Sequence, residues 1–180
     1  MTLDADWPEP TEITAYYERA LEALDALALR GRMNAFASTS QFYGDTRVEF
    51  DGKLRAMRTE LDREVSLALL ASCEAMLRVD FLRRVKERRK QPRAVLTRFK
   101  QLHGQYGRRV PFEDILDAWK EHTGKRQEFA VLSEYLVVRH WLAHGRYWAL
   151  RTTRRPDPGD VLSAMRSVFT ALPSGDFPSV

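Results

Sequence analysis

Residues 53–90, KLRAMRTELDREVSLALLASCEAMLRVDFLRRVKERRK, decide the fold. Leu54, Met57, Leu61, Val65, Leu69 and Met76 recur at helical spacing and form one apolar stripe. A second stripe, Leu67, Leu70, Leu77, Phe81 and Val85, begins beyond Val65. One stripe suits a helix lying on a surface. Two stripes cover the middle of a helix on most sides and predict that this one is central. Its end, RRVKERRK at 83–90, reads as solvated and basic. Cations suit any helix C-terminus, so this run alone does not mark a nucleic-acid site.

The flanking segments repeat the helical pattern. Residues 11–32 predict a helix capped by Thr11, with Ile13, Tyr17, Leu21, Leu24 and Ala28 on one face and Gly31 or Asn34 as its stop. Residues 37–52 are polar and turn-rich and predict a loop, with 46–50 as a short strand-like piece. Pro92 opens a helix to His103 that the stretch GQYG at 104–107 breaks. Further helices are expected over 111–122 and 126–150. The sequence PDPG at 156–159 reads as a turn, and Asp160 as the cap of a last helix ending near Leu172. Residues 1–10 and 174–180 are expected to be loose tails. Five to six helices without a convincing strand predict an all-α helical bundle, a single domain over 1–180.

The composition narrows the function classes. The chain has 180 residues, 44% of them hydrophobic and 30% charged, enough for a real core and unlike a disordered chain. No apolar run approaches the ~18 residues of a membrane span. The acidic start MTLDADWPEP lacks the apolar core of a secretory leader, and the single Cys73 permits no internal disulfide. A cytoplasmic setting and a buried, inert thiol are the expectations. The net charge of +4 is unevenly spread. Residues 1–50 carry 4 basic and 9 acidic side chains, 51–110 carry 16 and 7, and 111–180 carry 9 and 9. A basic middle block on a small protein suits a polyanion such as RNA, although arginine-rich solvated helices produce the same count.

Chemistry concentrates at 135–148, YLVVRHWLAHGRYW, where one arginine and two histidines sit among apolar residues. Histidine moves protons near neutral pH, and arginine clamps a phosphate while stabilising its growing charge. On a continuous helix Val131, Val138, Trp141, Leu142, Gly145, Trp148 and Ala149 share one broad face, and His140, His144, Tyr147 and Arg151 line up on another. The spacing Arg-x4-His also occurs at Arg98 and His103, but there in a short basic helix rather than an apolar one. His140-x3-His144 is zinc-ligand spacing as well. The glutamate of the metalloprotease motif is replaced by Trp141, and neither a cysteine pair nor a nearby acidic third ligand is evident, so no metal or other cofactor is expected. No glycine-rich phosphate loop, serine or cysteine nucleophile motif or kinase signature is present.

The string from Tyr135 to Gly145 resembles the motif of the HEPN superfamily (higher eukaryote and prokaryote nucleotide-binding). That family consists of α-helical bundles, many of them metal-independent endoribonucleases acting as toxins or in defence against phage. Its motif is an arginine, a polar residue and a histidine on a late helix, with two protomers commonly forming a composite site. The resemblance covers this helix alone. It implies that Arg139, His140 and His144 are catalytic, and that the chain cuts tRNA or mRNA as a homodimer, with an antitoxin or a defence-system protein as a possible partner. Many HEPN toxins carry a tyrosine two residues after the histidine; here that position is Arg146, and Tyr147 follows it. Arg146, Tyr147 and Arg151 are candidates for binding flanking phosphates or bases. The family often places an acidic residue near the arginine from an earlier helix, which implies Glu74; the alternative is that Glu74 faces solvent or pairs with Arg78, four residues on. The competing reading of the whole chain is a non-catalytic module that docks a nucleotide or a partner protein, with 83–90 as the docking surface.

Overall fold

The structure, a computed structural model, describes residues 8–33, 35–87, 92–146 and 148–172, with Glu87 as backbone only. Tyr147, the basic residues at 88–90, and the tails at 1–7 and 174–180 therefore lie outside the described residues. The described chain forms six α-helices and no strand: α1 (Pro10–Arg32), α2 (Arg47–Glu87), α3 (Arg93–Tyr106), α4 (Phe112–His122), α5 (Arg126–Ala143) and α6 (Pro158–Ala171). The all-α bundle expected from the apolar periodicity is the architecture observed. None of these helices is long and apolar enough to cross a membrane.

Helix α2 is the axis. It has 41 residues, about 60 Å at 1.5 Å per residue, and packs against all five other helices. Its two apolar rows do what their spacing implies. Leu61, Val65, Leu69, Leu70, Cys73, Met76, Leu77 and Phe81 are all buried. Each such side chain contributes about 1.5–3 kcal/mol by leaving water. Helix α1 lies against the N-terminal part of α2, and Tyr17 of α1 donates a 2.6 Å hydrogen bond to Asp62. Helices α3 to α6 surround the C-terminal part, where Phe81, Phe99, Trp119 and Phe129 make edge-on and stacked contacts. Burial pushes the Cys73 thiol well above its ordinary value, which keeps it protonated and unreactive.

Several boundaries differ from expectation, each for a local reason. Helix α2 starts at Arg47, so the strand-like piece at 46–50 is helical. Thr46 Oγ1 accepts the Glu49 N–H at 3.3 Å while Glu49 accepts the Thr46 N–H at 2.8 Å, a reciprocal cap that starts the helix. Gly31 does not end α1. It lies inside the last turn because the Phe50 ring rests on it; an added Cβ would sit 2.1 Å from Phe50 Cε1. Helix α1 begins at Pro10, with Glu12 rather than Thr11 serving its first turn. Helix α3 runs through Gly104 and stops only at Gly107, whose φ is 63°. Asp157, not Asp160, caps α6, accepting the Asp160 N–H at 3.0 Å. Arg84 departs from the solvated basic end expected for 83–90. It is 3% exposed, paired with Asp80 at 2.7 Å, and lies 4.8 Å from the Trp119 ring.

Candidate functional site

Helix α5 ends at Ala143 rather than near Leu150. Gly145 takes φ 82°, a conformation that costs glycine no steric strain, and the Arg146 N–H turns back to the Trp141 carbonyl at 3.1 Å. This is the six-to-one bond of a glycine-terminated helix. His144 is the C-cap residue, and its N–H still reaches the His140 carbonyl at 3.1 Å. His144 and Arg151 therefore do not share one helix, nor does the apolar helix face extend to Trp148 and Ala149; Tyr147 lies outside the described residues. Arg151 is exposed on the following irregular segment. Trp141 instead donates through Nε1 to the Trp148 carbonyl at 2.8 Å, folding the chain back on the helix end.

Arg139 points into the bundle. Its Nη2 lies 2.7 Å from Glu74 Oε2, while Arg78 Nε donates to Glu74 Oε1, also at 2.7 Å. Both partners considered for Glu74 thus share it. The Glu74 side chain is only 14% exposed, so its charge is compensated by two guanidinium groups rather than by water. The Arg139 contact is a close ion pair without hydrogen-bond alignment: Glu74 Oε2 and Arg139 Nε are buried and have no hydrogen-bond partner among the described residues. Arg78 also donates to the Val110 carbonyl at 2.8 Å, tying α2 to the start of α4.

These groups lie on a cleft of about 610 Å³ between α2, α4 and α5. Arg139, His140 and Arg78 line it, with Lys120, Glu113 and Asp117 on its α4 side. His140 joins this cleft to His144: their rings are 4.2 Å apart between centroids, and the Trp148 ring is 5.7 Å from His140. Both histidines are exposed. The structure so brings together Glu74, Arg139 and His140 at one cleft and His140 with His144 at its edge.

Arg146 is placed elsewhere. At φ 58° it is the non-glycine residue with positive φ among those described, and its Nη1 is 2.7 Å from Glu60 of α2. The Arg146 hydrogen bond holds the Glu60 carboxyl below its ordinary value. Arg63 shares Glu60 at 3.1 Å and stands 5.8 Å from the Trp141 ring. Arg146 thus fastens the turn after α5 to α2. Sequence reasoning missed Glu60 and Arg63; they pair with each other three residues apart on α2, but nothing local marks their contacts with Arg146 and Trp141, more than 75 residues away. It also missed Glu113, Asp117 and Lys120; their spacing along one edge of α4 was the available signal. Among the described residues, no group of three or more His, Cys, Asp or Glu is placed to hold a metal ion.

Compared with protein-family models, curated proteins and solved structures, the chain shows no significant match to any of them.

Proposed function

We propose that the protein is a HEPN-like, metal-independent endoribonuclease whose working groups are Arg139, His140 and His144. The observation that carries this reading is the arrangement around Arg139. A nearly buried glutamate on the central helix holds that arginine at a cleft lined also by His140, and His144 stands beside His140. An arginine fixed in this way is ready for a phosphate and has little side-chain freedom left to lose on binding it.

In the proposed reaction the ribose 2′-hydroxyl attacks the adjacent phosphorus. One imidazole of the pair takes the 2′-hydroxyl proton, and the other gives a proton to the departing 5′-oxygen. The products are a 2′,3′-cyclic phosphate and a free 5′-hydroxyl. Arg139 stabilises the charge on the pentacoordinate phosphorane. The nucleophile is internal to the RNA, so the step needs no metal-activated water. The basic middle of the chain, the homodimer and a toxin or phage-defence setting with a restraining partner belong to the same proposal.

The test is cleavage of total tRNA and a mixed RNA pool in EDTA by the parent, Arg139→Ala and His144→Ala proteins. Cleavage by the parent is expected, with losses of about 10²–10³-fold for Arg139→Ala and 10²–10⁴-fold for His144→Ala. Equal cleavage by His144→Ala and parent rejects the mechanism. The docking alternative draws support from Glu113 and Asp117, whose negative charge lines the same cleft. It predicts RNA binding that is weak at every salt concentration, whereas an RNA enzyme loses affinity steeply as salt rises.

A further inference from the structure

Histidines four residues apart on a helix project from the same face, and here the last backbone hydrogen bond of α5 preserves that relation beyond the helix end. The rings of His140 and His144 lie 4.2 Å apart, tilted by 52°, and both are open to solvent. Two imidazole nitrogens bound to one ion at 2.0–2.1 Å stand roughly 3 Å from each other. Small rotations of two exposed rings at this separation bring their edges to that distance. Glu74 is shared by Arg139 and Arg78 and Glu60 by Arg146 and Arg63, so each cluster keeps one net positive charge; this lowers the affinity for an incoming ion without blocking the imidazoles, which face solvent.

We propose that His140 and His144 form a two-imidazole chelate for a borderline divalent transition ion of the zinc, nickel and copper class. Imidazole favours these ions, whereas magnesium and calcium prefer oxygen ligands. With no third protein ligand among the described residues, water or a substrate oxygen completes the coordination shell, and the ion exchanges freely. This separates the site from structural and catalytic zinc sites, which carry three or four protein ligands. Occupancy ties up the nitrogen lone pairs of both imidazoles. The ion is thereby an inhibitor of the proposed proton transfers; this consequence, unlike the chelation itself, rests on the ribonuclease reading.

Nickel ion titrated into chelator-washed protein tests the site directly by NMR of the side chains of the four histidines. The His140 and His144 signals are expected to broaden together at nickel concentrations that leave His103 and His122 sharp. Magnesium should broaden neither. His140→Ala and His144→Ala should each weaken binding about tenfold or more, and His122→Ala should not. Broadening of only one of the pair, first broadening at His122, or unchanged affinity in either alanine variant overturns the chelate. Circular dichroism establishes that the variants are folded; a loss of binding by protein that retains its helicity counts for the chelate. Zinc at about ten times its dissociation constant should then suppress RNA cleavage, and EDTA should restore it. If the metal-free protein cuts no RNA, the ribonuclease reading fails while the nickel titration still decides the chelate.

Discussion

Arg139 and Glu74 show how far single residues can be read from sequence. An arginine inside an apolar helix needs an acidic partner, and a glutamate inside the apolar rows of another helix needs a cationic one. The resemblance pointed to an acidic partner for Arg139, and the apolar neighbours of Glu74 singled that residue out. The sharing of Glu74 with Arg78 was not decidable, because both arrangements satisfy the same charges. Arg139→Lys should keep the charge yet lose most of the RNA cleavage, since a lysine cannot present the guanidinium fork. Single-turnover rates compare it with Arg139→Ala, and a lysine variant as active as the parent would remove the clamp from the mechanism. The Glu60 pairing of Arg146 was not legible, because its backbone state is invisible in sequence. The arginine occupies the left-handed region that favours glycine. Arg146→Ala loses the Glu60 pair and keeps the strain, while Arg146→Gly loses the pair and removes the strain. Urea denaturation should therefore rank the glycine variant as the more stable of the two.

At the scale of elements, apolar spacing marked α1 and α2, prolines, glycines and capping residues marked the shorter helices, and the errors gathered at the ends. Helix ends are set by single hydrogen bonds and by packing across the chain, which leave weak local signals. Thr46 and Glu49 did carry a signal, the Thr-x-x-Glu capping pattern, hidden within a polar stretch. Thr46→Ala should destabilise the protein by about 1 kcal/mol. Gly31 carried a misleading one, since a glycine near a helix end reads as a stop while here it admits the Phe50 ring. Phe50 is buried and packed against Phe36 and Phe42, so it has little room to retreat. Gly31→Ala should cost about 1–3 kcal/mol, measured as a lower denaturation midpoint at unchanged slope. The turn after α5 adds a pH dependence. The folded Glu60 carboxyl lies below its ordinary value, so its small, solvent-screened contribution is complete above the ordinary carboxylate range. It is lost as pH falls through the lowered value. The Trp141 indole resonance, beside the Arg63 that shares Glu60, should shift over that acidic window in the parent and not in Glu60→Gln.

The whole molecule is organised by one long helix, and this was legible because only a central helix needs two apolar rows. The buried pair it carries near its C-terminus was not legible. Arg84 lies in the run 83–90, whose composition reads as solvent-facing, and Asp80 just before it; both side chains are 3% exposed. Asp80→Asn takes a charged partner away from the buried Arg84 and should lower stability in chemical denaturation, by up to about 3–5 kcal/mol. Helix α2 also bears on the site through Glu60 and Glu74, which grip Arg146 and Arg139 from positions 14 residues apart, about 21 Å along one stiff rod. The end of α5 and the turn after it are thus tied to α2 at two separate points, firmly at the nearly buried Glu74 and loosely at the solvent-screened Glu60. A disturbance at the outer tether therefore costs little while the inner one still sets where His140 stands.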